Sequence, residues 1–197
     1  MKTILLIRHS EPIKNRSLPT AQLPLSAHGI IKAQALFSRS IFRDVRAIYS
    51  SPYQRAYSTA RILRRCVRID DRLRERDLGN PETLNAEFWA RQYADHDYKN
   101  TGGESLNDTR ERMTLAMHEI LSATPEENAA AVVSHAAAIC AYLLNWCAVE
   151  VIDEPTKKRK IEHNGFVVLN GKIETPSAFI LHFEKGALRK IRFLDTE

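Results

Sequence analysis

The sequence is poor in cysteine, has no long hydrophobic run and shows no cluster of metal-ligating residues. Its three cysteines, Cys66, Cys140 and Cys147, are few, odd in number and without the spacing of a metal site. This pattern argues against a disulfide-stabilised secreted domain and predicts reduced thiols in an intracellular protein. No run approaches the roughly 18 apolar residues of a transmembrane helix, and the apolar stretch after Lys2 is too short for a signal peptide. We therefore expect a cytoplasmic protein that does not associate with membranes.

Internal repeats, low-complexity tracts and linkers are also missing from the sequence. The chain has 197 residues, of which 44% are hydrophobic and 27% charged, so it has an ordinary globular composition. This length fits one compact domain, which we predict to span residues 1–197. The net charge of +5 suits an anionic ligand, but it does not distinguish nucleic acid from a small phosphate ester.

Apolar runs that suit buried strands alternate with stretches of helical periodicity. Strands are predicted at TILLI (3–7), VRAIYS (45–50), CVRID (66–70) and AAAVVS (129–134). Helices are predicted over residues 24–41, 51–65, 82–98, 103–123 and 135–146. Ser26 and Ser51 are the candidate N-caps of the first two helices, and Pro52 suits the first turn of the second.

The last quarter of the chain has the pattern of antiparallel strands. Residues 153–160 (DEPTKKRK) read as a polar loop, and strands are predicted within 165–174, 177–185 and 187–194. Asn170-Gly171 is a strong hairpin signal. The alternation of strand and helix predicts an α/β fold with three layers, α/β/α. Its central sheet is expected to be mixed but mostly parallel, with an antiparallel C-terminal part.

Basic and imidazole side chains follow three of the predicted strands. Arg8 and His9 end the first strand, Arg55 lies in the first turn of the helix after the second, and His135 follows AAAVVS. In an open α/β sheet, ligands bind beyond the carboxyl ends of the strands. We therefore expect two arginines and two histidines to converge there, beside helix N-termini that also attract anions.

Each of these residues, taken alone, has a simpler interpretation. A histidine after a strand is more often structural than catalytic, and an arginine in the first turn of a helix is usually solvated. The coincidence of three such strand ends is what favours a phosphate or carboxylate site.

Six segments of the chain, in order, resemble a known family. They are LLIRHSEPIKN, LPLSAHG, IYSSPYQRAYSTA, LRERDLG, GGES and VVSHAAAI, and they span residues 4–139. Together they resemble the histidine phosphatase superfamily, the phosphoglycerate mutase-like proteins. A lone Arg-His pair would be weak support, but the whole ordered set is specific.

The resemblance implies a reaction and a role for six residues. His9 would be the nucleophile that takes the phosphoryl group, and Glu75 the proton donor to the leaving alcohol. Arg8, Asn15, Arg55 and His135 would hold the phosphoryl oxygens. The implied mechanism needs neither a metal nor another cofactor, and the remaining histidines form no metal-ligand pair: His28, His96, His118, His163 and His182.

The physical chemistry of these groups fits the implied roles. An imidazole attacks only when neutral, and nearby arginines lower its pKa from about 6.5. Glu75 must instead have a raised pKa, because a carboxyl of pKa about 4.3 is ionised at neutral pH. Arg74 and Arg76 would oppose that shift if they faced Glu75. In an extended segment both would point to the opposite side. The alternative for Glu75 is an ordinary surface salt bridge, and Asp77 is its nearest rival as the acid.

Two residues depart from the family pattern, which usually has glycine after each histidine. Here Ser10 follows His9 and Ala136 follows His135. Glycine serves where a backbone approaches a ligand or takes positive φ, so both changes affect the expected shape of the pocket. Neither removes a charged catalytic group, and we expect activity to survive.

The leading functional prediction is a phosphatase that hydrolyses small phosphomonoesters through His9. The alternatives are a phosphoglycerate mutase, a protein-phosphohistidine phosphatase and, less favoured, a non-catalytic module that binds phosphorylated ligands. The segment 79–103 is short and lacks the arginine-rich insertion of glycolytic mutases, which favours hydrolysis. Specificity is expected within 80–104, where the candidates are Glu87, Trp89, Arg91 and Tyr93.

Two basic stretches of the sequence give little indication of function. The arginines of 61–76 are interleaved with acids and read as a solvated surface or a rim that attracts anions. The stretch KKRK (157–160) is short and lacks interleaved aromatic residues, so no nucleic-acid partner is expected. The expected partner is a small phosphorylated substrate, and the sequence does not indicate an oligomeric state.

Overall fold

A six-stranded mixed sheet forms the centre of the computed structural model, which describes residues 1–195. Its strands are β1 (Lys2–Arg8), β2 (Val45–Ser50), β3 (Val67–Ile69), β4 (Ala129–Ser134), β8 (Ser177–Glu184) and β9 (Ala187–Leu194). The strand order is β3-β2-β4-β1-β8-β9. The first four strands are parallel to one another, whereas β8 pairs antiparallel with β1, and β9 pairs antiparallel with β8. The prediction of a mostly parallel sheet with an antiparallel C-terminal part is confirmed.

Helices cover both faces of this sheet. The helices α1 (Ala27–Phe37) and α2 (Gln54–Arg61) cover one face, and α4 (Leu106–Ala123) and α5 (Ala136–Leu143) cover the other. Helix α3 (Ala86–Ala94) lies between β3 and α4 in the chain and belongs to neither core cluster. Because successive side chains of a strand point to opposite faces, Leu5 and Ile7 pack with α1 and α2, while Ile4 and Leu6 pack with α4 and α5. This two-sided burial explains why TILLI is apolar at every position and confirms the three-layer arrangement.

The N-cap of α1 is as predicted, and that of α2 is not. The Ser26 hydroxyl accepts a hydrogen bond from the Gly29 N–H at 2.9 Å, which satisfies one of the free donors at the start of α1. Helix α2 begins three residues later than expected, with Tyr53 as its N-cap. Ser51 is instead buried and bonds to His135.

A second, three-stranded antiparallel sheet lies between α5 and β8 in the chain. It consists of β5 (Ala148–Asp153), β6 (Lys158–His163) and β7 (Phe166–Lys172). Strand β5 was not predicted, and residues 158–160 belong to β6 rather than to a loop. The hairpin prediction at Asn170-Gly171 is wrong, because that pair lies inside β7 opposite Lys160 and Arg159.

The turn between β6 and β7 uses another Asn-Gly pair. Asn164 has a φ of 50° and Gly165 a φ of 79°, the two positive values that a type I′ hairpin turn requires. Both pairs meet the local requirement for a turn. Pairing of Ile161 with Leu169 fixes the register and therefore decides which Asn-Gly pair turns the chain.

Helix α1 approaches the segment after β1 so closely that Gly29 is required. A Cβ at residue 29 would lie 2.2 Å from the Glu11 carbonyl oxygen, so that the backbone of α1 or of the segment at Glu11 would have to shift. We expect Gly29→Ala to lower the free energy of unfolding by about 1–3 kcal/mol, measured by urea denaturation. Gly171→Ala is the control, since a Cβ there meets nothing within 4 Å. Equal stability of the two variants would contradict this interpretation.

None of the helices within residues 1–195 is long and apolar enough to span a lipid bilayer.

Candidate active site

Three parallel strands end at the same edge of the central sheet. Arg8 at the end of β1 pairs with Ser134 at the end of β4, and Ser50 at the end of β2 pairs with Val133. The chain continues through the next residues in register: the His9 N–H donates to the Ser134 carbonyl at 3.0 Å. The strand ends therefore bring His9 and His135 together, with 5.0 Å between their ring centroids.

The hydrogen bonds of His9 determine which ring nitrogen carries the proton. Nδ1 lies 2.7 Å from the Ser10 carbonyl oxygen, which can only accept, so Nδ1 is the protonated nitrogen. Nε2 accepts a hydrogen bond from the Arg55 Nε at 3.0 Å. The Nε2 lone pair is thus directed at a guanidinium, in the place where an anionic group would also be bound. The Thr175 hydroxyl donates to the His9 carbonyl at 2.7 Å and fixes the backbone.

Arg55 joins the two histidines. Its Nη2 lies 3.1 Å from the His135 Nδ1, and its Nη1 donates to the Thr20 carbonyl at 2.6 Å. Since arginine only donates, the proton of His135 must be on Nε2, which lies 2.8 Å from the Ser51 hydroxyl. Arg55 and both histidines are buried. The guanidinium is therefore held in one orientation by three acceptors.

Burial and positive charge keep both imidazoles neutral. Burial lowers the pKa of His9 to about 3, and the charges of Arg55 and Arg8 act in the same direction. Burial also lowers the pKa of His135 well below its ordinary value, with His9 and Arg55 adding to the effect. Desolvation thus exceeds the arginine effect that the sequence suggested, and both favour a nucleophilic His9 at neutral pH.

Glu75 reaches the same site from the irregular segment between β3 and α3. Its Oε1 accepts the backbone N–H of Arg76 at 3.0 Å and that of Ala138, in the first turn of α5, at 3.1 Å. Burial raises the pKa of Glu75, while these two hydrogen bonds and the charges of Arg55 and Arg8 oppose the increase. The net direction is the one that a proton donor requires.

The two arginines beside Glu75 do not behave alike. Arg74 turns away and pairs with Asp71 at 3.0 Å and Glu104 at 2.7 Å. Arg76 does not: it is buried and lines the same cavity as Glu75. The expectation that both arginines face away is therefore wrong for Arg76, because the segment is not a regular strand.

A cavity of about 1540 Å³ opens at this edge of the sheet. Arg8 and Glu75 line its inner end, and Trp89 and Tyr93 of α3 form part of its wall. Other parts of the wall come from α5, β5, the start of β6, the segments on either side of α3 and the end of β7, while His9, Arg55 and His135 are not among the lining residues. Of the specificity candidates, Trp89 and Tyr93 therefore lie at the cavity, whereas Glu87 and Arg91 are exposed and do not. Sequence reasoning missed Gln92, also at the cavity, although its position four residues after buried Phe88 was a usable signal.

The family model for the histidine phosphatase superfamily (branch 1) matches residues 4–168. This match covers most of the chain. The chain belongs to the histidine phosphatase superfamily.

Two further kinds of relative agree with membership of this superfamily. A probable phosphoglycerate mutase of Proteus mirabilis is 32% identical over 155 residues, which are 71% of this chain and 72% of that protein. A phosphoserine phosphatase mutant from Entamoeba histolytica, solved with phosphoserine, is 22% identical with a TM-score of 0.69 and covers 100% of this chain and 98% of its own. A mycobacterial glucosyl-3-phosphoglycerate phosphatase is 23% identical with a TM-score of 0.64, over 99% and 97% of the two chains. The two structures show a shared fold.

The structure joins three of the six residues that the superfamily resemblance singled out by hydrogen bonds, and it places two more at the adjoining cavity. His9, Arg55 and His135 are joined by hydrogen bonds, and Glu75 lies at the cavity that Arg8 also lines. The Arg8 Nη1 donates to the Ile173 carbonyl, and its buried Nε has no partner among residues 1–195. Arg8 is therefore the fifth of these residues, and the segment after β7 holds its guanidinium.

Asn15 lies outside this group. It is exposed, and its Oδ1 accepts the Ser17 N–H at 2.9 Å in a local turn. The phosphate-binding role of Asn15 stays a prediction.

Ser10, where the superfamily usually has glycine, is anchored to the scaffold. Its hydroxyl donates to the Gly29 carbonyl of α1 at 2.6 Å, and its N–H donates to the Thr59 hydroxyl of α2 at 2.9 Å. Thr59 in turn donates to the Arg55 carbonyl at 2.7 Å. Ser10 is fully buried, so its side chain does not narrow the cavity. The added hydroxyl ties the His9 loop to α1, while the backbone N–H of Ser10 ties it to α2, the helix that carries Arg55.

Removal of this anchor should be measurable. We expect Ser10→Ala to lower the free energy of unfolding by about 1–3 kcal/mol, because the buried Gly29 carbonyl loses a hydrogen bond. The matched control is Ser38→Ala, which removes an exposed 2.8 Å bond from a serine hydroxyl to the Ala35 carbonyl of the same helix. Urea denaturation of both variants checks this. A smaller loss for Ser10→Ala than for Ser38→Ala would contradict the anchoring role.

Ala136, the second departure from the superfamily pattern, starts α5 and lines the cavity. Its φ is not positive, so alanine fits the backbone without strain. No cluster of three or more potential metal ligands occurs among residues 1–195.

Proposed function

We propose that the protein is a phosphatase that hydrolyses phosphomonoesters through a phosphohistidine intermediate on His9, with Glu75 as the proton donor. One observation carries the proposal: the His9 Nε2 lone pair is fixed against the Arg55 guanidinium, while Nδ1–H is held by the Ser10 carbonyl. This arrangement prepares a neutral imidazole to attack phosphorus beside a charge that binds phosphate.

In the first half-reaction, the Nε2 lone pair forms the P–N bond as the ester P–O bond breaks. Arg8 and Arg55 compensate the charge on the phosphoryl oxygens, with charge-assisted hydrogen bonds worth about 1.5–3 kcal/mol each. The leaving oxygen takes the proton of Glu75 and departs as the alcohol. The Ser10 carbonyl continues to hold Nδ1–H, which stabilises the positive charge of the phosphorylated ring.

In the second half-reaction, the Glu75 carboxylate takes a proton from water, and the resulting hydroxide attacks phosphorus. The P–N bond breaks, phosphate leaves, and His9 and Glu75 return to their starting protonation states. The cavity that Arg8 and Glu75 line is large enough to hold water beside the Glu75 carboxyl, which supports hydrolysis over transfer.

Phosphoryl transfer of the mutase kind is the second candidate function, because the relative from Proteus mirabilis is a probable phosphoglycerate mutase. The two functions differ in the fate of the phosphoryl group. A mutase returns it to a hydroxyl of the substrate, whereas a phosphatase releases it as inorganic phosphate.

A substrate screen with two readouts tests the proposal. The purified protein is incubated with p-nitrophenyl phosphate, alkyl phosphomonoesters, 3-phosphoglycerate and a phosphohistidine peptide. Inorganic phosphate and isomerised ester are measured separately. We expect phosphate release and, after acid-free quenching, a phosphoenzyme that is stable in alkali and labile in acid. Release from the peptide alone would favour the protein-phosphohistidine phosphatase, isomerisation without release would favour the mutase, and turnover of no ester would overturn the proposal.

A further inference from the structure

Arg76 is a buried cation that has only neutral partners. Its side chain is 6% exposed, its Nε donates to the Glu104 backbone carbonyl at 2.9 Å, and its Nη1 donates to the Gln92 side-chain oxygen. The third nitrogen, Nη2, is buried without a hydrogen-bond partner among residues 1–195. One nitrogen of a guanidinium at the cavity wall is therefore unused.

The neighbouring arginines of the same segment are paired with carboxylates. Arg72 contacts Asp70 and Glu119, and Arg74 contacts Asp71 and Glu104. Within residues 1–195, Arg76 has no ion pair, although it is the most buried of the three. A buried charge costs free energy unless an opposite charge compensates it. Burial lowers the pKa of Arg76, and Glu104 and Glu75 oppose this from a distance without pairing with it, so an anion in the cavity would be its first direct ionic partner.

Gln92 adds a second unused donor beside Arg76. It is 1% exposed, lines the cavity, and uses its oxygen to hold the Arg76 Nη1. Its amide nitrogen forms no hydrogen bond with any residue from 1 to 195. The oxygen contact fixes the orientation of the amide, and its N–H groups remain free for an acceptor.

The position of these donors relative to Glu75 defines which part of a substrate they meet. The Arg76 backbone N–H donates to the Glu75 Oε1, and both side chains line the cavity. In the proposed reaction, Glu75 protonates the ester oxygen that leaves phosphorus. A group that reaches Arg76 and Gln92 is therefore attached to the alcohol, within a few bonds of that oxygen.

We propose that Arg76 and Gln92 bind a carboxylate on the alcohol part of the substrate and thereby determine specificity, an inference that rests on the proposed phosphatase function. A carboxylate fits because only one guanidinium nitrogen and one amide nitrogen are free, which match two oxygens of a planar anion better than the three oxygens of a phosphate. The preferred substrates are then phosphomonoesters of hydroxy acids.

Matched substrates that differ in the carboxylate alone test the inference on the wild-type protein. Phosphoserine is compared with phosphoethanolamine, and 3-phosphoglycerate with glycerol 3-phosphate. We expect kcat/KM to be about ten- to a hundredfold higher for the carboxylated member of at least one pair, the range that one charge-assisted hydrogen bond provides. Hydrolysis without such a preference in either pair overturns the inference and leaves the phosphatase function intact.

Substitution assigns the preference to the residue. In Arg76→Met, we expect the ratio of kcat/KM between the carboxylated and the carboxylate-free ester to fall by about the same ten- to a hundredfold, mainly through KM. Arg76→Lys should retain part of it, since a lysine keeps the charge. The control is Arg74→Met, two residues away and already paired with acids, which should leave the preference unchanged. A preference that survives in Arg76→Met, or disappears equally in Arg74→Met, overturns the assignment.

Binding measurements keep the inference separate from catalysis. Calorimetric dissociation constants for both pairs are measured on wild type and on His9→Ala. If no ester is hydrolysed, the proposed function fails, but a tenfold tighter binding of one carboxylated member still supports the Arg76 site. Equal binding within each pair, or no binding of any member, overturns it. The wild-type comparison also decides the question if Arg76→Met does not fold.

Discussion

Replacement of His9 by alanine is expected to abolish phosphate release, with a fall in kcat of about 10³-fold or more, as is typical for loss of a covalent nucleophile. The reason lies in the site itself. Within residues 1–195, His9 and His135 are the two imidazoles whose unprotonated nitrogen contacts the Arg55 guanidinium, and the His135 ring is held by Ser51 on its other side. Steady-state phosphate release and phosphoenzyme trapping on the same preparation measure the effect.

The control for this experiment is His28→Ala. His28 is exposed, and its ion-pair partner is Glu11 at 3.4 Å rather than any of the residues with a proposed catalytic role. Its removal should therefore leave turnover unchanged. A phosphoenzyme signal that persists in His9→Ala would show that another residue is the nucleophile. Its appearance in His9→Ala but not in His135→Ala would assign that role to His135.

The second large effect is expected from Glu75→Gln, which keeps the shape of the side chain and removes its proton. We expect a loss of about 10²–10⁴-fold in kcat for alkyl phosphomonoesters, whose alkoxides need protonation to leave. The loss should be much smaller for p-nitrophenyl phosphate, because the phenolate leaves without a proton. Comparison of the two substrates on one variant separates acid catalysis from structural damage. An equal loss for both would contradict the donor role.

The pH profile of the wild type provides an independent check on Glu75. The acid must be protonated in the free enzyme, and burial raises its pKa, so activity extends to higher pH than a free carboxyl would allow and declines above that pKa. His9, with a pKa of about 3, is already neutral in mild acid and imposes no loss there. We expect an optimum of kcat/KM at acidic to neutral pH, with the alkaline decline missing in Glu75→Gln. Activity that keeps rising above about pH 8 would contradict this assignment.

The sequence was sufficient for those features that depend on local pattern. Strands β1 and β4 are apolar runs that are buried on both faces, and such runs are visible without a structure. The convergence of Arg8, His9 and His135 followed from the rule that parallel strands end at one edge. Glu75 was found through the family resemblance rather than through the physical pattern around it.

Features that depend on long-range pairing were not predictable in this way. Two Asn-Gly pairs satisfy the same turn requirement, and only the pairing of β6 with β7 selects Asn164-Gly165. Ser51 meets the requirements of an N-cap, but its hydroxyl bonds instead to His135, the residue after β4, which is 84 residues away in sequence. In the same way, nothing in an arginine-rich segment marks Arg76 as the member without an acidic partner.

The three-stranded sheet β5–β7 has a consequence for how this protein acquires new specificities. The proposed nucleophile His9 and His135 follow strands of the central sheet, whereas Val151, Glu154 and Arg159 of the cavity wall belong to the second sheet or its turns. The two parts meet at the segment after β7, where Ile173 accepts from Arg8 and Thr175 donates to the His9 carbonyl. The hairpins before that joint form an exchangeable module. Evolution or design can vary them to change the choice of alcohol while the phosphoryl-transfer chemistry is inherited unaltered.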